Sequence, residues 1–288
     1  MSTRLLAAAC MVCGCAALPQ TLDAQSWRTL TTSRQVRGEA LLEVEVEFAS
    51  GTLRLQPGAR GSLFRIDAKY DEETFESSTS YDPQGSHLSV KITPDDFDGD
   101  IDLDDDSPQF LDLALSPEVP VALDLKFGVA KSVIELGGLA VRRVEVKTGA
   151  SETSIGFERP NRVACEELSV AVGAAELTVY GIGNSRCEHV KLAGGAGDVT
   201  LDFTGTWPAG FQPEAEVMMG FGSLTLRIPE NVGVELTMSR LFASFEDEGF
   251  EKRGSRWVSA NYDDARATLK LQVRAILGDV SVDWVAGR

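Results

Sequence analysis

The chain has 288 residues, with 27 basic against 44 acidic side chains and a net charge of −17. So strong an acidic excess argues against nucleic-acid binding, which needs clustered Lys and Arg facing phosphate, and against docking on anionic lipid headgroups. Apolar residues make up 43% of the chain, enough for a sizeable core, so the acids belong to a solvated surface.

The N-terminus, "MSTRLLAAACMVCGCAALPQTLDAQS", carries one Arg, an apolar run from Leu5 to about Leu18, and then polar residues. This pattern predicts a secretory signal peptide over 1–24, cleaved after Ala24. The alternative is a lipoprotein leader. "VCGC" resembles a lipobox, with Val12 three residues before Cys15 and Gly14 just before it, which would make Cys15 the lipidated residue. No later run approaches 18 apolar residues, so the mature chain is expected to be exported without a transmembrane segment. Its expected place is periplasmic, cell-surface or extracellular, soluble or lipid-anchored.

Residues 25–121 read as N-terminal β rungs. "VEVEFASGTLRL" alternates about Ala49, and "LFRIDAKY", "HLSVKI" and "FLDLALS" are strand-like, although their register over 57–118 does not follow from the pattern. This part is interrupted at 94–108 by "PDDFDGDIDLDDDSP", in which eight aspartates lie between Asp95 and Asp106. Carboxylates at every second position, Asp96, Asp98, Asp100 and Asp102, suit a hard cation, so calcium is the candidate cofactor there. The stretch misses the EF-hand pattern, and the competing reading is an acidic insertion kept in solvent by self-repulsion. A melting temperature unmoved by millimolar Ca²⁺ relative to chelator would reject a structural calcium site.

From 122 to 286 the sequence repeats, continuous with the part before it. "CEELSVAVGAAELTV" (165–179) aligns with "CEHVKLAGGAGDVTL" (187–201) at an offset of 22 residues, with Cys on Cys, Gly173 on Gly195 and Thr178 on Thr200. The unit places apolar residues at alternate positions before a small residue and resumes them four and six positions after it. Similar phasing centres on Gly128, Gly149, Gly220, Ser239 and Ile276. Alternation means half-buried strands, and a small residue between them lets the chain turn. One such unit cannot bury its apolar face alone, so stacking is required. The expected fold is therefore all-β, a single-domain β-solenoid, in its simplest form a right-handed parallel β-helix with rungs of ~22 residues. A sandwich of short strands also alternates, but it does not predict matched units.

Residues one period apart sit about 4.8 Å from each other across a rung. That separation lies within reach of a Cys165–Cys187 disulfide in an oxidising compartment, the alternative being a reduced ladder of small apolar side chains.

The stretch from Leu123 to Trp284 resembles the toastrack-type β-helix domains of bacterial putative adhesins and cell-wall-active antibiotic response proteins. The resemblance is carried by "GFGSLTLRIPENVGVELTMSRLFASFEDEGF" and "WVSANYDDARATLKLQVRAILGDVSVDW". It implies a non-catalytic envelope module linked to surface interaction or stress sensing. The chain departs from the antibiotic-response proteins in lacking spanning segments ahead of the domain.

Candidate chemistry is sparse. The glycines of "LAGGAGDVTL" (192–201) look like a phosphate loop, but no Lys-Ser/Thr pair and no helix follows them, so they read as a rung turn. His87 and His189 are the only histidines, and His189 falls on a rung. No nucleophile elbow, HExxH or Cys-His cluster is present, so neither catalytic residues nor an organic cofactor are expected. Trp257 and Tyr262 lie in a loop-like stretch that could meet sugars, whereas Trp284 and Phe245 read as core or end-cap residues. The expected function is binding or scaffolding in the envelope, with an envelope protein or a surface polymer as partner. Self-association through open end rungs is a further route. The alternative from another class is a polysaccharide-processing enzyme on the same fold, using paired carboxylates.

Overall fold

The computed structural model describes residues 26–95, 108–245 and 248–287. In chain order the strands are β1 (Trp27–Gln35), β2 (Leu42–Pro57), β3 (Ser62–Asp71), β4 (Phe75–Asp82), β5 (His87–Pro94), β6 (Phe110–Leu115), β7 (Pro120–Glu135) and β8 (Ala140–Gly156). They continue with β9 (Cys165–Tyr180), β10 (Cys187–Asp202), β11 (Glu214–Pro229), β12 (Gly233–Phe245), β13 (Phe250–Arg253), β14 (Arg256–Ser259) and β15 (Thr268–Val285). One turn of helix, Ile182–Ser185, separates β9 from β10.

The fold is an all-β solenoid. Eight long strands pair in parallel in the order β2-β7-β8-β9-β10-β11-β15-β12. In β7 the alternation of "VALDLKF" buries Val121, Leu123, Leu125 and Phe127; beyond Gly128 the buried set moves to Ala130, Ser132 and Ile134. A one-residue slip exchanges the two faces of a strand, so the bend at Gly128 is what keeps both arms pointing inward. The same bend falls at Ala49, Gly149, Gly173, Gly195 and Gly220, each passed over in the pairing between neighbouring strands. The connections close the coil with apolar side chains of their own, including Leu136, Leu139, Phe157, Ile182 and Phe203, all buried.

The period varies with the connection. Register partners are 21 residues apart from Leu123 to Val144, 24 from Val144 to Leu168, 22 from Leu168 to Val190 and 25 from Val190 to Ala215. The longer turns are held by buried asparagines. Asn161 accepts from the Val141 amide (2.9 Å) and donates to the carbonyls of Val141 (2.8 Å) and Ser185 (2.9 Å), tying three rungs together. One rung further, Asn184 donates to the Phe157 carbonyl and accepts from the Thr206 amide. Asn161 is 1% exposed, so Asn161→Ala leaves buried backbone groups unpaired. We expect a loss of about 3 kcal/mol in urea unfolding, with Asn161→Asp at least as harmful because its buried carboxylate would face the Val141 and Ser185 carbonyls that the amide now donates to.

Two features depart from simple succession. The 57–118 region resolves into one split rung: β5 pairs with the first arm of β2 (Val46 with Val90) and β6 with the second (Leu53 with Leu111). The described flanks of the acidic insertion, the end of β5 and the start of β6, fall at the bend between these two arms. At the other end, β15 lies between β11 and β12. Its register also moves one bend. Arg240 pairs with Ala275 and Phe242 with Leu277, so the residue opposite Ile276 is Leu241, two positions beyond the Ser239 expected from the alternation. The alternation misleads there because Ser239, Arg240, Leu241 and Phe242 are all exposed on the last full rung and carry no inward pattern.

Antiparallel strands close both ends: β4 on β5, β3 and β1 on β6, and β14 and β13 on β12. The last cap is aromatic. Phe245 meets Phe250 (ring centroids 6.2 Å apart) and Trp257 (5.7 Å), and Phe250 meets Trp284 (5.2 Å). Such shielding of a terminal rung is what a solenoid needs to stay soluble. Trp257 therefore belongs to a strand of this cap, not to a free loop.

Candidate functional site: the groove along the bend

A groove of about 770 Å³ runs along the bend across β2, β7, β8, β9 and β10. Its floor is the row of small residues Ala49, Gly128, Gly149, Gly173 and Gly195. The reason for the glycines is close approach: a side chain at Gly195 would strike the backbone carbonyl of Gly173, and one at Gly173 would come within 2.9 Å of the Gly149 carbonyl oxygen. The last inward position before the bend adds Phe48, Phe127, Thr148 and Val172; the last outward position adds Glu47, Lys126, Lys147, Ala171 and Ala193. Rungs about 4.8 Å apart make the trough roughly 20 Å long.

Charge is confined to the rim near β2, β7 and β8. Lys126 lies within 4 Å of Glu45, Glu47 and Asp124, and Lys147 is 2.6 Å from Glu145. Hydrogen bonding to Glu145 holds the Lys147 ammonium above its ordinary range and, reciprocally, the bond from Lys147 lowers the Glu145 carboxyl. Lys91 is raised likewise by its bond to Glu47. These pairs leave the trough floor apolar, a surface for contact more than for proton transfer. Glu47, Lys126 and Lys147 are the ionisable members of its lining.

On β11, β15 and β12 the bend line changes character. Met218, Phe221, Ile276, Leu277, Leu241 and Phe242 are exposed there, with Leu241 at 69% and Phe242 at 72%. Phe221, Leu277 and Phe242 are register partners on adjacent strands, the first outward residue after the bend. One bend line thus carries a trough at one end and an apolar ridge at the other. Ile276 is a large residue at a centre of the alternation where the other centres are small, but without the strand order nothing in the sequence marks it as part of a surface.

Cys165 and Cys187 open β9 and β10 as register partners, with Cα atoms 4.1 Å apart, and their sulfurs are joined. Asp96, Asp98, Asp100 and Asp102, the candidate calcium ligands, lie outside the described residues, as do Cys15 and the 1–24 leader. The flanks of the insertion do fall at the site: Thr93 lines the groove, and the Gln109 amide donates to the Ser50 carbonyl at the same bend (2.9 Å). His87 lies 3.7 Å from both Glu43 and Glu45, partly exposed, and His189 is an exposed strand residue of β10. The structure brings neither histidine to the groove. Among the described residues, no helix is long and apolar enough to cross a membrane.

A bent parallel stack with antiparallel caps and a groove along its bend defines the class: a β-solenoid of rack-like rungs. The chain belongs to the toast_rack family; residues 23–180 match the N-terminal domain of toast_rack, DUF2154. Residues 180–282 match the domain described as cell wall-active antibiotics response LiaF, C-terminal. The two matches meet at Tyr180, between the rungs that Cys165 and Cys187 join. Among solved structures, the chain is similar to a putative cell adhesion protein from Clostridium sporogenes, at 13% identity over 90% of this chain and 100% of that one, with a TM-score of 0.48. It is also similar to a putative adhesin from Bacteroides fragilis (11% identity, 88% and 97% covered, TM-score 0.31). A third is a putative lipid binding protein from Parabacteroides distasonis (12%, 89% and 96%, TM-score 0.29). Comparison with curated proteins found no match.

Proposed function

We propose that the chain is a non-catalytic module of the bacterial cell envelope that works by binding and scaffolding, adhesin-like or linked to envelope stress. The observation that carries this reading is the apolar groove built along the bend, a rigid recess of a size suited to ligand contact. Its floor is backbone and its ionisable rim is already paired. The match to a domain of cell-wall-active antibiotic response proteins supports an envelope setting, and the leader over 1–24 supports export to the periplasm or cell surface, with lipidation at Cys15 as the variant anchor. The partner in this reading is an envelope protein or a surface polymer.

A photoreactive side chain at Ala171, on the groove wall, tests it in intact envelopes. We expect a discrete crosslinked product from Ala171 and none from the exposed Arg142 at the start of β8. Equal products from both positions would count against the groove. New reducing ends or unsaturated products after incubation with polysaccharide panels would replace this reading with the enzymatic one.

A further inference from the structure

We propose that the partner along the bend is a second copy of this chain, docked by a two-fold axis so that the ridge of each copy fills the trough of the other. The inference rests on reading the bend as a binding face. It starts from the order of side-chain size along one line. Reading the rungs from β2 to β12, the bend residues are Ala49, four glycines and Gly220, then Ile276 and Leu241. Small residues occupy one end and large ones the other.

A two-fold axis that crosses this line reverses the rung order in the facing copy, so β2 meets β12, β7 meets β15, β8 meets β11 and β9 meets β10. At the bend itself large then meets small. Leu241 faces Ala49, and Ile276 faces Gly128. One position beyond the bend, Leu277 faces Val129 and Phe221 faces Ala150. Near the axis glycine meets glycine at the bend and alanine meets alanine one position on, which lets the backbones approach. This is the self-complementarity that an isologous interface requires, each contact being made twice.

The area agrees with it. At ~150–250 Å² for each large side chain, of which between 46% and 72% is exposed, the six ridge residues offer on the order of 600 Å² per copy, close to the ~800 Å² per partner of a standard interface. Together the ridges and troughs span eight rungs, roughly 34 Å. The same reversal brings Lys131 of β7 beside Asp279 of β15 and, nearer the axis, Glu176 of β9 beside Asp198 of β10, an acidic pair that salt would screen. It also brings Lys126 toward Arg274, where Glu47, 3.8 Å from Lys126, intervenes. Ridges this apolar and this exposed are uncommon on a monomer, and in a chain of net charge −17 the ridge residues themselves carry no acid. The open edge of β12 beyond β14 is a poorer route to the same partner, because the exposed Arg240 sits on that edge and turns back on the Ala243 carbonyl (3.4 Å). A charge so placed deters strand addition.

The test uses the purified chain with its native disulfide. Light scattering is expected to give twice the chain mass from micromolar concentration upward, more completely at higher salt, which screens the acidic repulsion. Leu277→Lys and Ala174→Glu, one on the ridge and one near the axis, both at exposed positions, should each weaken association roughly a hundredfold and leave the melting temperature of the dilute, monomeric chain unchanged. Geometry is read by mixing Val129→Cys with Leu277→Cys: a crosslink is expected between the two variants and not within either alone, since like positions lie about 24 Å apart. A protein that stays monomeric to millimolar concentration, or a Leu277→Cys variant that crosslinks to itself, overturns the proposal. If the monomer still gives a discrete product of another protein at Ala171, the binding reading survives and only the second copy is lost; if both fail, the groove is not a binding face.

Discussion

Gly195→Val is expected to lower stability by about 4 kcal/mol, within the range of backbone clash and strain at a tightly stacked turn, and to melt the stack some 10 °C or more below the native chain. The mechanism is steric and specific. The new side chain would meet the carbonyl of Gly173 on the next rung, and that carbonyl belongs to backbone, which cannot swing aside. Relief requires β9 and β10 to part at the bend, and parting them disturbs the pairing on both arms. Because each rung contacts only its neighbours, the damage should spread to β8 and β11 first. The control is Ala174→Val, one residue along on the exposed side of the neighbouring rung, where the change should stay within about 0.5 kcal/mol. Differential scanning calorimetry of both decides the matter, and a native melting temperature in the glycine variant would refute the close-approach role of this row. Nucleotide affinity should be unmeasurable in every form.

Opening the Cys165–Cys187 link is the second large effect. The bond closes a 22-residue loop, and the chain-entropy argument assigns such a loop about 3 kcal/mol. Its position adds consequence, since it joins the last rung of one family domain to the first rung of the next. Cys165→Ala with Cys187→Ala should therefore lower the melting temperature by roughly 6–12 °C, and reductant should lower that of the native chain but not of the variant. Intact mass after alkylation of the unfolded, unreduced chain gives the direct readout. Alkylation of both Cys165 and Cys187 would mean that the two sulfurs are free.

The two effects meet in the same pair of rungs, and that pair is where the sequence was most legible. Cys165 on Cys187 and Gly173 on Gly195 align without gaps because the connection between β9 and β10 is short and carries the single helical turn. Where connections lengthen, the match fades while the fold persists. The Asn161 turn takes the offset to 24, and the sequence offers no sign that one asparagine serves three rungs, since its partners are backbone groups that any residue supplies.

By itself the sequence determined the local physics: alternating strands, small residues at the bends, a period near 22, one cysteine above the other, and a charge balance unsuited to nucleic acid. Those follow from patterns within about two dozen residues. Only the tertiary structure decided the order of the rungs. β5 and β6 become two arms of one rung across the acidic insertion, and β15 enters between β11 and β12. Alternating apolar strands are interchangeable as pairing partners, so the pattern that makes a rung does not say which rung it joins. The trough and the ridge along the bend exist only in that order. They depend on which residue lies 4.8 Å away across the sheet, and not on which lies next along the chain.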